Sequence, residues 1–451
     1  MPTTMSQVTK GQLLDKTLML NENNQTSISS WKAILSYTIV ALFLFFEMGV
    51  QVSPSVMTEQ LMQDLNIDAF GLGLMSGFYF YTYTCMQIPS GFLFDRFRPR
   101  NVITLAIIIC ALGCAFFGFS SNIYLGSMAR LLMGFGSAFA FVAVLVVTAD
   151  LFASKHFAFI TGITQMLAAF GAMAGQMPLS YTVSHLGWRN TLFMLTVIGC
   201  ILALFVWTLL NYKKDVLTCI HKNEKNKTNY RFRDILANKQ TWIIALYACL
   251  LWAPMSGFAS LWGVPFLEHV YNMSRDSAAF ICSMMWLGLA LASPLLGWIS
   301  TAWRSRVWPL IISSLIGAIA FGILLIFHIN SVAWLATVIF IAGAACAGQA
   351  LSFTVIKEIN AAQYRASAIG FNNMAVVISG AIFQPALGKL LNFHCDAMGF
   401  AGCQTQHYLT SMLLILGAYI VSLGLALFFI KESFSLDEEI SFAKDAQTAK
   451  I

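Results

Sequence analysis

Apolar residues come along this chain in blocks of about twenty, separated by short polar breaks, a period set by the width of a bilayer. The blocks run from Ala33 to Met57, Phe70 to Gly91, Asn101 to Phe119, Ile123 to Val147, Phe157 to Val183 and Thr191 to Leu210. They resume from Trp242 to Glu268, Ser277 to Ser300, Val307 to His328, Val332 to Ile356, Ala366 to Leu391 and Tyr408 to Ile430. Lipid offers no partner to a backbone N–H or C=O, so a segment of this kind must be helical or part of a closed barrel. The pattern predicts an all-α integral membrane protein with twelve transmembrane helices. The longest polar stretch inside it, Asn211 to Gln240, divides the helices into two sets of six. The predicted organisation is a tail over 1–30, a six-helix bundle over 31–210, a linker over 211–240, a second bundle over 241–430 and a tail over 431–451.

Composition agrees with the pattern. Of 451 residues 58% are hydrophobic and 10% charged, against about 25% charged in soluble domains. So few charges cannot coat a water-soluble surface, which excludes aqueous enzymes and disordered chains. The net charge of +6 invites a nucleic-acid reading until the 26 basic residues are assigned to sides. With both termini cytoplasmic, 22 of them fall on the cytoplasmic side, leaving only Arg130, Arg189, Arg275 and Lys389. That is the positive-inside bias of a membrane protein, and no nucleic-acid partner is expected. The expected location is a bacterial inner (cell) membrane, as a monomer in lipid. The polar N-terminal 30 residues contain no apolar run followed by a cleavage site, so no removable signal is expected.

Ten cysteines are spread along the chain without a CxxC or a His/Cys cluster, and neither metal nor cofactor is predicted. Cys395 and Cys403 share the last external connection, where an oxidising compartment would join them; free surface thiols are the alternative. GxxxxGK[ST], HExxH and GxSxG are all absent, which speaks against ATP hydrolysis and against an enzyme.

The halves repeat. At an offset of 206 to 208 residues, Gly162 to Met166 (GITQM) meets Gly370 to Met374 (GFNNM), and Gln176 meets Gln384. GFLFDRFRPR from Gly91 likewise meets GWISTAWRSR from Gly297. With the Gly91, Leu93, Asp95, Arg96 and Arg100 motif after the second helix, Arg130 to Gly136 (RLLMGFG) in the fourth, and Gly187 to Arg189 (GWR), the chain resembles the major facilitator superfamily. Arg98 and Pro99 depart from the motif's usual glycine and basic residue. GAMAGQMP from Gly171 lacks the Gly-Pro-x-x-Gly-Gly motif of drug/proton antiporters. Val52 to Met57 and Gln87 to Arg96 are similar to a bacterial branch related to lysosomal dipeptide transporters.

The resemblance implies a secondary or facilitative transporter moving a small polar solute (an amino acid, di-peptide or organic ion) by alternating access, with protons as a candidate coupling ion in a symporter. A drug or metabolite efflux antiporter and a non-transporting sensor are the alternatives. It also implies a cytoplasmic gate at Gly91, Asp95, Arg96, Arg98 and Arg100, and a central cavity lined by helices 1, 4, 7 and 10. Intramembrane charge costs several kcal/mol unless it faces a cavity or a partner, so Glu47 and Arg130 are the prime candidates. At 1.5 Å per residue both lie roughly 10 Å from the external face, and they are expected to meet there. Gln51, one turn from Glu47, joins them, with Tyr247, Trp252 and Gln349 from helices 7 and 10.

Overall fold

The structure is a computed structural model and describes residues 30–151, 154–210, 232–360, 365–394 and 405–434. Helix covers the apolar blocks. The N-terminal helices are α1 (Trp31–Val56), α2 (Ala69–Arg96), α3 (Pro99–Gly118), α4 (Ile123–Thr148), α5 (in two stretches, Ser154–Ala174 and Met177–Leu186) and α6 (Trp188–Leu209). The others are α7 (Lys239–Tyr271), α8 (Arg275–Ala302), α9 (Val307–Ile326), α10 (Val332–Ile359), α11 (Arg365–His394) and α12 (Thr405–Phe428). Among the described residues ten helices are long and apolar enough to cross a membrane, making this a multi-pass membrane protein. Two long runs, α2 and α5, stand outside those ten; in α2 the apolar residues are diluted by Tyr79, Tyr81, Thr82, Tyr83 and Thr84.

Helix starts follow local chemistry. Side chains of Asp68, Asn122, Ser274 and Ser331 accept from the first-turn N–H groups of α2, α4, α8 and α10. These groups have no partner within their own helix. Asn66 and Asn272 precede two of these starts with left-handed backbone (φ 51° and 50°), a conformation asparagine tolerates better than other side chains that carry a Cβ. Asn66 and Asn272, like Asp68 and Ser274, are 206 residues apart, so the offset seen in the sequence is also one of local geometry.

Packing repeats in the same way. In the first half α3 packs on α6 and α4, α2 on α4, and α1 on α5; in the second α9 packs on α12 and α10, α8 on α10, and α7 on α11. Across the halves α2 runs along α11 and α5 along α8, while the end of α1 meets α7. Glycines close the α2–α11 seam. A Cβ on Gly73 would lie 2.5 Å from the Gln384 carbonyl oxygen, and one on Gly388 2.3 Å from that of Ala69. The outside is apolar: Leu105, Ile108, Leu112 and Phe116 form an exposed stripe on α3, which lipid solvates and water would not.

Candidate functional site

Two of the residues that matter lie inside the first half. Glu47 on α1 and Arg130 on α4 are fully buried, and Tyr79 of α2 stands between them. The Tyr79 hydroxyl donates to Glu47 Oε1 at 2.7 Å, and the Arg130 guanidinium lies 4.6 Å from the centre of the Tyr79 ring. Gly134, one turn beyond Arg130, permits this approach, because a Cβ there would lie 2.0 Å from the Tyr79 carbonyl oxygen. Arg130 Nη1 donates to the Val50 carbonyl at 3.3 Å, and Nη2 to those of Gln51 at 3.2 Å and Ser76 at 3.5 Å. Val50 has this capacity because the helical donor four residues on is Pro54, which has no N–H.

The direct meeting of Glu47 and Arg130 expected from the sequence is therefore replaced by a bridge through Tyr79. No carboxylate pairs with Arg130 among the described residues. Backbone carbonyls and an aromatic face take the place of an acid. Among the described residues, Glu47 Oε2 and Arg130 Nε have no hydrogen-bond partner.

Between the halves lies a cavity of about 110 Å³. Gln51, Trp252 and Gln349 line it; Glu47, Arg130 and Tyr247 do not. Tyr247 turns away, donating to the Leu310 carbonyl at 2.9 Å and accepting from Ser314, which fastens α7 to α9. Glu47 sits behind the wall, joined to it through Tyr79 and Tyr83, whose rings are 5.9 Å apart. Tyr83, Gln165 and Asn373 complete the polar lining. A larger hollow of about 420 Å³ between α1, α5 and α6 is almost wholly apolar and lies outside the seam.

Polar ties between the halves gather at the end away from Arg96 to Arg100 and Arg304 to Arg306, which form the basic end. At this opposite end Gln176 Nε2 donates to the Ala259 carbonyl at 2.6 Å and Ser180 to Asp276 at 2.6 Å. Asn392 holds Asp68 and the Ala69 N–H, and Arg275 reaches Glu59 at 3.6 Å and Glu268 at 3.5 Å. Nearby, Trp188 Nε1–H donates to Asp64 at 2.8 Å and Arg189 pairs with the same carboxylate, holding it below the usual aspartate range. Nearer the basic end, Asn373 donates to Gln87 across the seam at 2.7 Å.

The gate motif is partly accounted for. Asp95 lies in α2 with its side chain outside the described set, and Arg96 and Arg98 are exposed. Arg100 stacks on Trp207, tying α3 to α6 within one half, and Gly91 has open space around it. In the second copy of the motif, Arg306 Nη2 meets Glu358 at 2.8 Å, while Glu432 accepts from Ser305 and from the backbone N–H groups of Arg306, Val307 and Phe434. Burial opposes ionisation of Glu432, but these donors outweigh it and leave the carboxyl below its ordinary range. Cys395, Cys403 and linker residues 211–231 lie outside the described residues.

Sequence reasoning missed Tyr79 as the bridge. Its signal was the i, i+4 pair Tyr79 and Tyr83, which places two phenols on one helical face. Asn373 was visible only as half of an Asn–Asn pair; Asn372 is spent on Ser352 at 2.7 Å, whereas Asn373 faces the seam.

Comparison with known proteins agrees with this architecture. The uncharacterized transporter YybO of Bacillus subtilis is 23% identical over 57% of this chain and 63% of its own length. The probable sulfoacetate transporter SauU of Cupriavidus necator is 23% identical over 52% of this chain and 53% of its own. The matched region thus spans somewhat over half of each relative. A crystal structure of a bacterial homolog to the human lysosomal transporter Spinster, inward-facing and unoccupied, superposes with a TM-score of 0.72 at 17% identity, covering 88% of this chain and 96% of that one. The Major Facilitator Superfamily model matches residues 37–384 and 254–444. Two similarly packed halves, a seam cavity and a family match running through both place the chain in the Major Facilitator Superfamily.

Proposed function

We propose that this protein is a secondary transporter that moves a small polar organic solute across a membrane by alternating access. The observation that carries this reading is the seam cavity between two similarly packed halves, lined by Gln51, Tyr83, Gln165, Gln349 and Asn373 among apolar residues, with cross-half ties concentrated at one end. Breaking those ties while others form at the basic end would expose the same cavity to the opposite side. In this reading the basic end and both termini face the cytoplasm, which positive-inside bias supports, and the 31–210 and 241–430 bundles are the moving bodies of a monomer in a bacterial cell membrane. Relatives named as transporters, one for sulfoacetate, support small organic solutes as the substrate class.

Glu47 is the coupling carboxylate in this reading. It is fully buried and has one oxygen on Tyr79 and one without a partner, so it can exchange a proton while Arg130 keeps its charge on backbone carbonyls. Tyr83 and Gln51 connect that layer to the solute. The test begins with a thermal-shift screen of amino acids, di-peptides, organic anions and cations, followed by flux of the stabilising solute in proteoliposomes. Wild type should accumulate solute under a proton gradient, and Glu47→Gln should exchange solute without accumulating it. Gradient-driven accumulation by Glu47→Gln would remove the coupling role. Absence of flux for every stabilising solute would remove the transporter.

A further inference from the structure

We infer that the seam cavity takes a neutral, planar, single-ring solute with adjacent hydrogen-bond donors and acceptors, the chemistry of a pyrimidine base. The inference rests on the transporter reading and narrows its substrate. Its first support is what the cavity wall lacks: among the described residues, none that lines it carries a charge. Glu47 and Arg130 lie behind the wall, already engaged by Tyr79 and by backbone carbonyls. An ionised solute would have to leave water without a counter-charge, a cost of several kcal/mol per ion even after relaxation.

What the wall does carry is carboxamides. Gln51 is 7% exposed and Gln349 5% exposed; both line the cavity, and neither side chain makes a hydrogen bond to a described residue. Neither amide is among the sealed-off polar atoms of the described residues, so both are open to the cavity and free to bond a solute there. Gln165 adds a third amide, and Asn373, with its Nδ2 spent on Gln87, still has its carbonyl oxygen as an acceptor. Each glutamine amide offers donor and acceptor side by side. The complementary solute edge is a cyclic amide, which presents the same pair in reverse.

Flat apolar surface surrounds these amides. Trp252 and Trp286 line the cavity with ring centres 6.4 Å apart and planes 76° apart, and Phe80, Phe141 and Phe353 contribute further ring surface. Such walls hold a planar π system by stacking or edge contact. Size sets the last limit. An apolar cavity of about 150 Å³ holds a benzene-sized guest, and about 110 Å³ in this conformation is of the same order, a scale that favours one small ring over a di-peptide.

The test uses the purified full-length chain in detergent, with radiolabelled uracil as probe and glycine and sulfoacetate as zwitterionic and anionic competitors. Saturable uracil binding that neither competitor displaces is expected, with Gln51→Leu and Gln349→Leu each weakening it about 5- to 10-fold through one lost hydrogen bond. Gln349→Met keeps the side-chain length should the leucine variant fold poorly, and Gln63→Leu, on an exposed connecting helix, should bind as wild type does. Absence of uracil binding, or equal binding by the Gln51 and Gln349 variants, overturns the inference. Counterflow in proteoliposomes then separates the two levels. Carriage of glycine or sulfoacetate instead of uracil overturns the substrate class and leaves the transporter standing. Glutamine-dependent uracil binding without counterflow supports the class and counts against transport.

Discussion

Gly134→Ala tests whether the helix spacing that seats Arg130 is as tight as described. The new Cβ would lie 2.0 Å from the Tyr79 carbonyl oxygen and 2.6 Å from Thr82 Oγ1, whereas ordinary contact begins near 3.4 Å. Because the nearer atom belongs to backbone, α4 and α2 must part by about 1.4 Å. The Arg130 bond to the Ser76 carbonyl of α2, already 3.5 Å long, would then pass beyond hydrogen-bonding range, and the Tyr79 ring would move off the guanidinium. Overpacking alone costs about 1–3 kcal/mol. A buried guanidinium left short of acceptors adds a further ~1–3 kcal/mol. Thermal unfolding in detergent should therefore show a clear loss of stability, and gradient-driven uptake should fall with it. Gly424→Ala, with nothing near its Cβ, is the control and should behave as wild type. Wild-type unfolding and uptake by Gly134→Ala would refute the tight α2–α4 seat and the bridging role given to Tyr79.

Two further outcomes are expected. Gln176→Leu removes the donor to the Ala259 carbonyl and to Cys282 Sγ at 3.4 Å, so the opposite end should open more often and Cys282, now buried, should react faster with maleimide; unchanged protection would contradict that tie. Asp64, held below its ordinary value of 3.8 by Trp188 and Arg189, lends stability that is present above that value and is lost as pH falls through its folded value. Unfolding temperature should thus drop more steeply below about pH 4 in wild type than in Asp64→Asn. Equal slopes would show that the tether contributes nothing, and because the pair is well exposed the difference should be small.

Apolar blocks could be read from sequence because the bilayer imposes its width on every crossing helix. Gln51, Trp252 and Gln349 stood out as polar or amphipathic residues on helices expected near the seam, and they line the cavity. The facing of Tyr247 could not be read in the same way. Helix α7 is buried nearly all round, so apolar periodicity marks no single face, and Tyr247 serves α9 instead. The Glu47–Arg130 contact failed as a sequence inference for another reason. Opposite charges at one depth need not touch when a phenol engages one and backbone carbonyls engage the other, and the Val50 carbonyl depends on Pro54. Asp95 was chosen for its motif, whereas the charge tie described in full is the second copy, Arg306 with Glu358.

Alternating access is the central claim, and paired spin-label distances test it most directly. One pair joins the starts of α4 and α10 at the opposite end, Tyr124→Cys with Trp334→Cys; the other joins the basic end, Phe97→Cys with Trp303→Cys, all at exposed positions in a background without reactive cysteines. Measured in liposomes at pH 5 and pH 8, each pair should show two distances, and the opposite-end distance should lengthen under the condition that shortens the basic-end one. A single unchanging distance at either end, or both ends lengthening together, would contradict the account.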